Sequence, residues 1–263
     1  MGTLEGATVV VTGGAGFIGS ALVRLLLADG AAVRVVDNLV NGKRDNLAEI
    51  ENHANFTFYE EDIRNVDAMR EIMRGSDIVY NLACLGVRHS IHSPHENHDV
   101  NATATLHMLS SAREIGVGRF VYVSTSEVYG TARTVPMTEE HPTFPHTVYG
   151  GSKLAGESYT RAFHETYQYP TVVVRPFNAY GPRSHHEGDS GEVIPKFMLR
   201  CLAGKPLVIF GDGSQTRDFT YVEDTARGIL LAGTHEAAIG KTLNLGSGYE
   251  IPIHELAETV KQV

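Results

Sequence analysis

The 263-residue sequence has no tryptophan and only two cysteines, Cys84 and Cys201. Two cysteines make neither a disulfide framework nor a zinc spacing, so a reducing, cytoplasmic setting is expected. No run reaches the about 20 apolar residues that a bilayer span requires, so no membrane partner is expected. The start, M-G-T-L-E-G-A-T-V-V-V-T-G-G, has no basic flank and only a short apolar run, and does not read as a signal peptide. Lysine and arginine number 22 against 31 acidic residues, a formal charge of -9. With no basic cluster, a nucleic-acid partner is not expected. Repeats, low-complexity segments and long flexible linkers are also missing.

What is present is alternation. Buried-strand patterns occur at 8–12, 32–37, 56–63, 77–83, 119–125 and 171–177. Helical patterns lie between them, at 17–28, 65–74, 98–115 and 149–168. Continuous apolar strands separated by helices predict an α/β fold, a parallel sheet covered on both faces. After Phe177 the texture becomes polar and loop-like, with a helix near 193–203, a short piece P-L-V-I-F at 206–210 and a final helix at the end. This predicts a smaller C-terminal lobe over the sheet's C-terminal edge, with a soft boundary because segments of one lobe can return to the other.

The first strand runs into T-G-G-A-G-F-I-G, where Gly14, Gly16 and Gly19 form G-x-G-x-x-G at the start of a helix. Glycines there let the backbone approach a pyrophosphate, and the helix N-terminus offers N–H donors and partial positive charge. Asp37 ends the second strand, at the distance expected of an acid that binds a ribose 2′-hydroxyl. A 2′-phosphate would be repelled there, which favours NAD over NADP. Candidate cofactor contacts are Gly13, Gly16, Phe17, Ile18, Gly19, Asp37, Asn38, Leu82 and Ala83. Asp62 and Ile63 either meet an adenine or are an ordinary strand terminus.

Y-G-G-S-K puts Tyr149 and Lys153 at i and i+4, on one face of a helix. A phenol of pKa about 10 is a poor base at neutral pH. A nearby ammonium and the positive nicotinamide of NAD would favour phenolate, which could take a proton from a sugar hydroxyl held by Thr125.

These motifs, with N-L-A, S-T-S-E-V-Y-G, R-P-F-N-A-Y-G-P-R and G-D-G-S-Q-T-R-D-F-T-Y-V-E-D, resemble the extended short-chain dehydrogenase/reductase family. Within it they are similar to the NAD-dependent nucleotide-sugar epimerases and dehydratases, in order from about residue 8 to 248. The resemblance implies a Rossmann-type doubly wound sheet over 1–177, with NAD held by Tyr149 and Lys153 among others. It implies a lobe over 178–263 that holds a nucleoside-diphosphate sugar. Thr125, Tyr149 and Lys153 would form the catalytic triad. Asn178 and Val193 would contact substrate, and Arg217 either the diphosphate or a neighbouring acid. The 98–115 and 149–168 helices would pair two subunits into a homodimer. The sequence departs from the family at Cys84, where N-L-A-A is usual. Members also usually continue past 263, which implies either a piece of a longer protein or a reduced lobe.

Oxidation at C4 of the sugar is the shared first step, and Ser126-Glu127 bears on the later ones. Epimerases of the family tend to carry small neutral residues there, whereas dehydratases and decarboxylases carry an acid. Glu127 is therefore either a base for the C5 proton, with Ser126 assisting at C6, or a carboxylate that only orients a neighbour. This favours 4,6-dehydration over 4-epimerisation, with decarboxylation of a uronate third and a non-catalytic NAD-bound regulator as another class. Arg88, in L-G-V-R-H-S-I, meets a carboxylate, binds phosphate or caps a helix. His89, His92, His95 and His98 recur every third residue, but Pro94 interrupts the helix and no carboxylate-rich cage accompanies them, so no metal is expected.

Overall fold

The computed structural model describes residues 4–187 and 191–263. The chain opens with β1 (Thr8–Thr12), α1 (Phe17–Ala28), β2 (Ala32–Val36), β3 (Phe56–Tyr59), α2 (Val66–Met73) and β4 (Ile78–Asn81). Two short helices, α3 (Val87–His92) and α4 (Pro94–His98), lead through a π-helical turn (Asp99–Thr103) into α5 (Ala104–Glu114). Pro94 begins α4, so the four spaced histidines fall on two separate helices. Next come β5 (Arg119–Val123), a 3₁₀ turn (Ser126–Tyr129), α6 (Val148–Tyr167) and β6 (Thr171–Pro176). The remainder is β7 (Asn178–Tyr180), α7 (Val193–Leu202), β8 (Thr216–Tyr221), α8 (Val222–Thr234), β9 (Thr242–Leu245), β10 (Glu250–Pro252) and α9 (Ile253–Gln262).

Seven strands form one parallel sheet in the order β3-β2-β1-β4-β5-β6-β9. Strand side chains alternate between faces. Val9 and Val11 therefore join one core with Leu22 and Leu26 of α1 and Ile229 of α8. Val10 joins the other core, with Met69, Met108 and Tyr122. All three valines are fully buried, each contributing about 1.5–3 kcal/mol. Burial on both faces explains why the strands read as continuous apolar runs rather than alternating ones.

Strand order reverses beside β1, whose neighbours are β2 and β4. The two connections leave in opposite directions and open a crevice at the strands' C-terminal ends. The 206–210 piece forms no regular element. The small lobe is a three-stranded sheet, β10-β8-β7, with α7 and α9 packed through Phe197, Ile253 and Leu256. From β8 the chain passes back to the large sheet, where α8 lies on α1 and β9 pairs with β6.

Two local features set the site. The Thr147 hydroxyl caps α6, accepting from the Gly150 N–H at 3.0 Å, and so fixes the helix start one residue before Tyr149. Farther along, α6 comes so close to the sheet that a methyl group at Gly156 would overlap the Tyr122 ring. This approach lets Lys153 reach β5.

Candidate active site

The crevice is a cleft of about 910 Å³ between the sheet's C-terminal edge and the small lobe. Its dinucleotide end is built by backbone. Gly13 has φ +68, and a Cβ there would lie 2.8 Å from the Ala83 nitrogen. A Cβ on Gly19 would overlap the Gly13 carbonyl oxygen. No side chain caps the start of α1 at Gly16, which leaves the helix N–H groups to an anion. Asp37, 7% exposed, accepts from the Ala15 and Leu39 N–H groups, each at 2.9 Å. Burial pushes its carboxyl up, and those two bonds oppose the rise. Glycine cradle, open helix end and buried acid together fit a dinucleotide.

Asn38, Asp62, Ile63, Leu82 and Ala83 also line the cleft. The Asp62 carboxylate is already engaged, by Arg64 at 2.7 and 2.9 Å and by Asn38 Nδ2 at 2.8 Å. Hydrogen bonds from Arg64 hold it down at about 2, against the cost of burial.

At the other end stand Thr125, Glu127, Tyr149 and Lys153. Thr125 follows β5 and caps the 3₁₀ turn, its hydroxyl accepting from the Glu127 N–H at 3.2 Å. Lys153 is 1% exposed and donates to the Val123 carbonyl at 2.7 Å, with Nζ 4.3 Å from the centre of the Tyr122 ring. Burial pushes its ammonium down, while Cys84 and Glu157 push it back up. Burial drives the Tyr149 phenol well above its ordinary value; Cys84 and Glu127 add to this and a hydrogen bond with Thr125 opposes it. The phenolate expected from sequence rests on Lys153 together with the positive nicotinamide of NAD, and burial works against it. Further positive charge in the cleft would work against that rise.

Arg88, Asn178 and Val193 line the cleft as well. Arg88 is exposed on α3, and Asn178 Nδ2 donates to the Asp218 carbonyl at 3.2 Å. Two sequence candidates are not brought in. Ser126 starts the 3₁₀ turn but is not part of the cleft wall. Arg217 is exposed outside that wall, with Nη1 donating to the Thr216 carbonyl at 2.8 Å.

Sequence reasoning also passed over residues that face the cleft. Ser124 is 6% exposed and its hydroxyl has no partner among the described residues; it stands beside Thr125, which was the available signal. His89, one of the four spaced histidines weighed in the sequence, also lines the cleft and pairs with Glu96 at 3.1 Å across the α3–α4 break. Glu192, next to Val193, lies at the start of α7, and burial raises its carboxyl to about 7. Among the described residues, no group of three or more His, Cys, Asp or Glu could hold a metal ion.

The family model for the NAD dependent epimerase/dehydratase family matches residues 9–246. A UDP-glucose 4-epimerase of Mycolicibacterium smegmatis is 37% identical over 94% of this chain and 79% of its own length. Pal from Bacillus thuringiensis superposes with a TM-score of 0.93 at 35% identity, over 97% of this chain and 82% of Pal. DesIV from Streptomyces venezuelae, a dTDP-glucose 4,6-dehydratase solved with NAD bound, gives a TM-score of 0.90 at 35% identity, over 97% of this chain and 80% of its own. With its glycine cradle, its switch-point cleft and its parallel sheet, the chain belongs to the NAD-dependent epimerase/dehydratase family, and NAD is its cofactor.

Proposed function

We propose that this chain binds a nucleoside-diphosphate sugar, oxidises it at C4 and carries it through 4,6-dehydration, as a lyase. Relatives on both sides of the choice are about equally similar, an epimerase at 37% and a dehydratase at 35% identity, so likeness does not decide it. The observation that carries the reading is Glu127. It is exposed in the cleft wall, on the turn that Thr125 caps, and near enough to Tyr149 for its charge to push the phenol up.

NAD, held by the glycine cradle and Asp37, would supply the hydride acceptor for C4 and the hydride donor for the later reduction. Thr125 orients the C4 hydroxyl, and Tyr149 takes its proton once the phenol is ionised by added positive charge. Lys153, held by the Val123 carbonyl, lies on the same helix face as Tyr149, where its ammonium form favours the phenolate. A ketone at C4 acidifies the C5 proton, which passes to the Glu127 carboxylate. The acid so formed protonates the departing C6 hydroxyl and water leaves. With hydride delivered to C6, a solvent proton taken up at C5 and the Tyr149 proton released to solvent, the product would be a 4-keto-6-deoxy sugar. With Ser126 outside the cleft wall, this one carboxylate serves as base and then as acid.

A specific observation favours a second reading. Because Ser126 does not face the cleft, the turn offers Glu127 no acid–base partner, and Thr125, Tyr149 and Lys153 alone suffice for a 4-epimerase, an isomerase. Exposed Arg88 suits a uronate carboxylate and keeps decarboxylation third. We read the outer faces of α5 and α6 as the contact of a homodimer, for which light scattering should give twice the chain mass. Free Cys84 and Cys201 suit a reducing cytoplasm.

The test is product mass spectrometry with a panel of nucleotide sugars in deuterated water. Loss of water with one deuterium bound to carbon is expected. An isomeric product without carbon-bound deuterium would sink dehydration and leave epimerisation.

A further inference from the structure

Behind the catalytic turn lies a buried polar cluster that the chemistry above does not use. Tyr129 ends the 3₁₀ turn and is 1% exposed. Its hydroxyl donates to Asn244 Oδ1 at 2.7 Å and accepts from Arg175 Nη1 at 2.8 Å. Arg175, on β6, grips Glu157 with both arms of its fork, Nε to Oε1 at 2.9 Å and Nη2 to Oε2 at 2.7 Å. Glu157 is fully buried on α6. Tyr149, Lys153 and Glu157 recur at every fourth residue and share one face of that helix.

The connection therefore runs from the catalytic helix through Glu157 and Arg175 to the far end of the catalytic turn. Buried ion pairs add little net stability over an apolar replacement of the same volume, so energy alone does not account for this one. Its geometry does. The turn is tied at its start by β5, and Tyr129 ties its end. We propose that Arg175 and Tyr129 are positioning residues, which hold the turn carrying Thr125 and Glu127 at a fixed separation from Tyr149 and Lys153. The proposal rests on reading Thr125, Glu127 and Tyr149 as the reacting groups.

Tyr129→Phe isolates the effect. It keeps the ring beside His141 and Phe177 and removes only the hydroxyl, leaving the Arg175–Glu157 fork in place. The full chain, loaded with NAD, is assayed with the nucleotide sugar that the product panel selects. NAD affinity and KM should stay within about twofold of wild type, while single-turnover formation of NADH slows about tenfold, since small misplacements are costly in the chemical step. A Thr125→Ala background supplies the reading that a merely structural role would not move. There Tyr129→Phe should cost almost nothing more, because the hydroxyl it positions is gone. A second cycle pairs it with Glu127→Gln and reads deuterium exchange at C5.

Additive losses in both cycles, a wild-type rate for Tyr129→Phe, or a loss that merely tracks weaker NAD binding would each overturn the proposal. If wild-type enzyme shows no C5 exchange, the dehydratase reading falls and the Thr125 cycle alone decides positioning. A Thr125→Ala enzyme at wild-type rate would overturn the reading of the site, and this proposal with it.

Discussion

Single residues decide whether the cleft can take its cofactor. Gly19→Ala puts a methyl on the Gly13 carbonyl oxygen, and neither backbone can give way. We expect NAD affinity to fall more than tenfold, measured by calorimetry, because the pyrophosphate loses its close approach to the helix end. Asp62 gives a pH signature. Its folded-state carboxyl lies at about 2, below the ordinary value, so its bond to Arg64 stabilises fully above about pH 4 and is lost as pH falls through about 2. Asp62→Asn should flatten the acid arm of a urea-denaturation series, modestly because the pair is partly exposed. The glycines and Asp37 were legible in the sequence because local backbone fixes their spacing. Ser126 was not separable from Glu127 by reading alone. On a turn of about three residues, neighbouring side chains diverge by about 120°, so only one of the two faces the cleft. Arg217 shares the strand face of Phe219, which lines the cleft, but sits about 7 Å further along β8. Nor could sequence show that Lys153 spends its proton on the Val123 carbonyl, since that bond joins residues 30 apart.

At the scale of elements, α6 is the part on which the chemistry depends most. Its cap, its close approach at Gly156 and its row of Tyr149, Lys153 and Glu157 are separate devices on one helix. Thr147→Ala removes the cap bond to the Gly150 N–H and should cost about 1 kcal/mol of stability by denaturant titration. Tyr149 lies in the first turn, where fraying begins, so the single-turnover rate should fall more than the stability change alone requires. Position of this helix was readable from periodicity; 149–168 was expected and Val148–Tyr167 is found. Less readable was the segment 98–115, where a π-helical turn at Asp99–Thr103 precedes α5. That turn carries Asn101, whose side chain bonds Leu85, Asn97 and Ser152. Asn97 is a local partner four residues back, but Leu85 and Ser152 come from distant segments that no local pattern announces.

Over the whole molecule, the cleft is a joint product of two lobes, and the chain crosses between them more than once. Parallel-sheet alternation made the large lobe legible, whereas the return of β9 depends on a pairing with β6 that four half-buried residues do not signal locally. One group reports on how the lobes close over the cleft. Glu192 precedes α7 in the small lobe, faces the cleft, and among the described residues has no hydrogen-bond partner for its side chain to offset burial, which lifts its carboxyl to about 7. An unfolded glutamate ionises near about 4.3, so between there and about 7 the folded chain binds the proton that the unfolded chain releases. Stability from the neutral form is thus complete at low pH and is lost as pH rises through about 7. Glu192→Gln keeps the neutral shape at every pH. Wild type and variant should melt alike near about pH 4.5, and the variant should gain on wild type up to about pH 7, above which the difference levels off. Parallel melting curves across that window would mean that Glu192 ionises freely, and that the small lobe does not shut its carboxyl away from water.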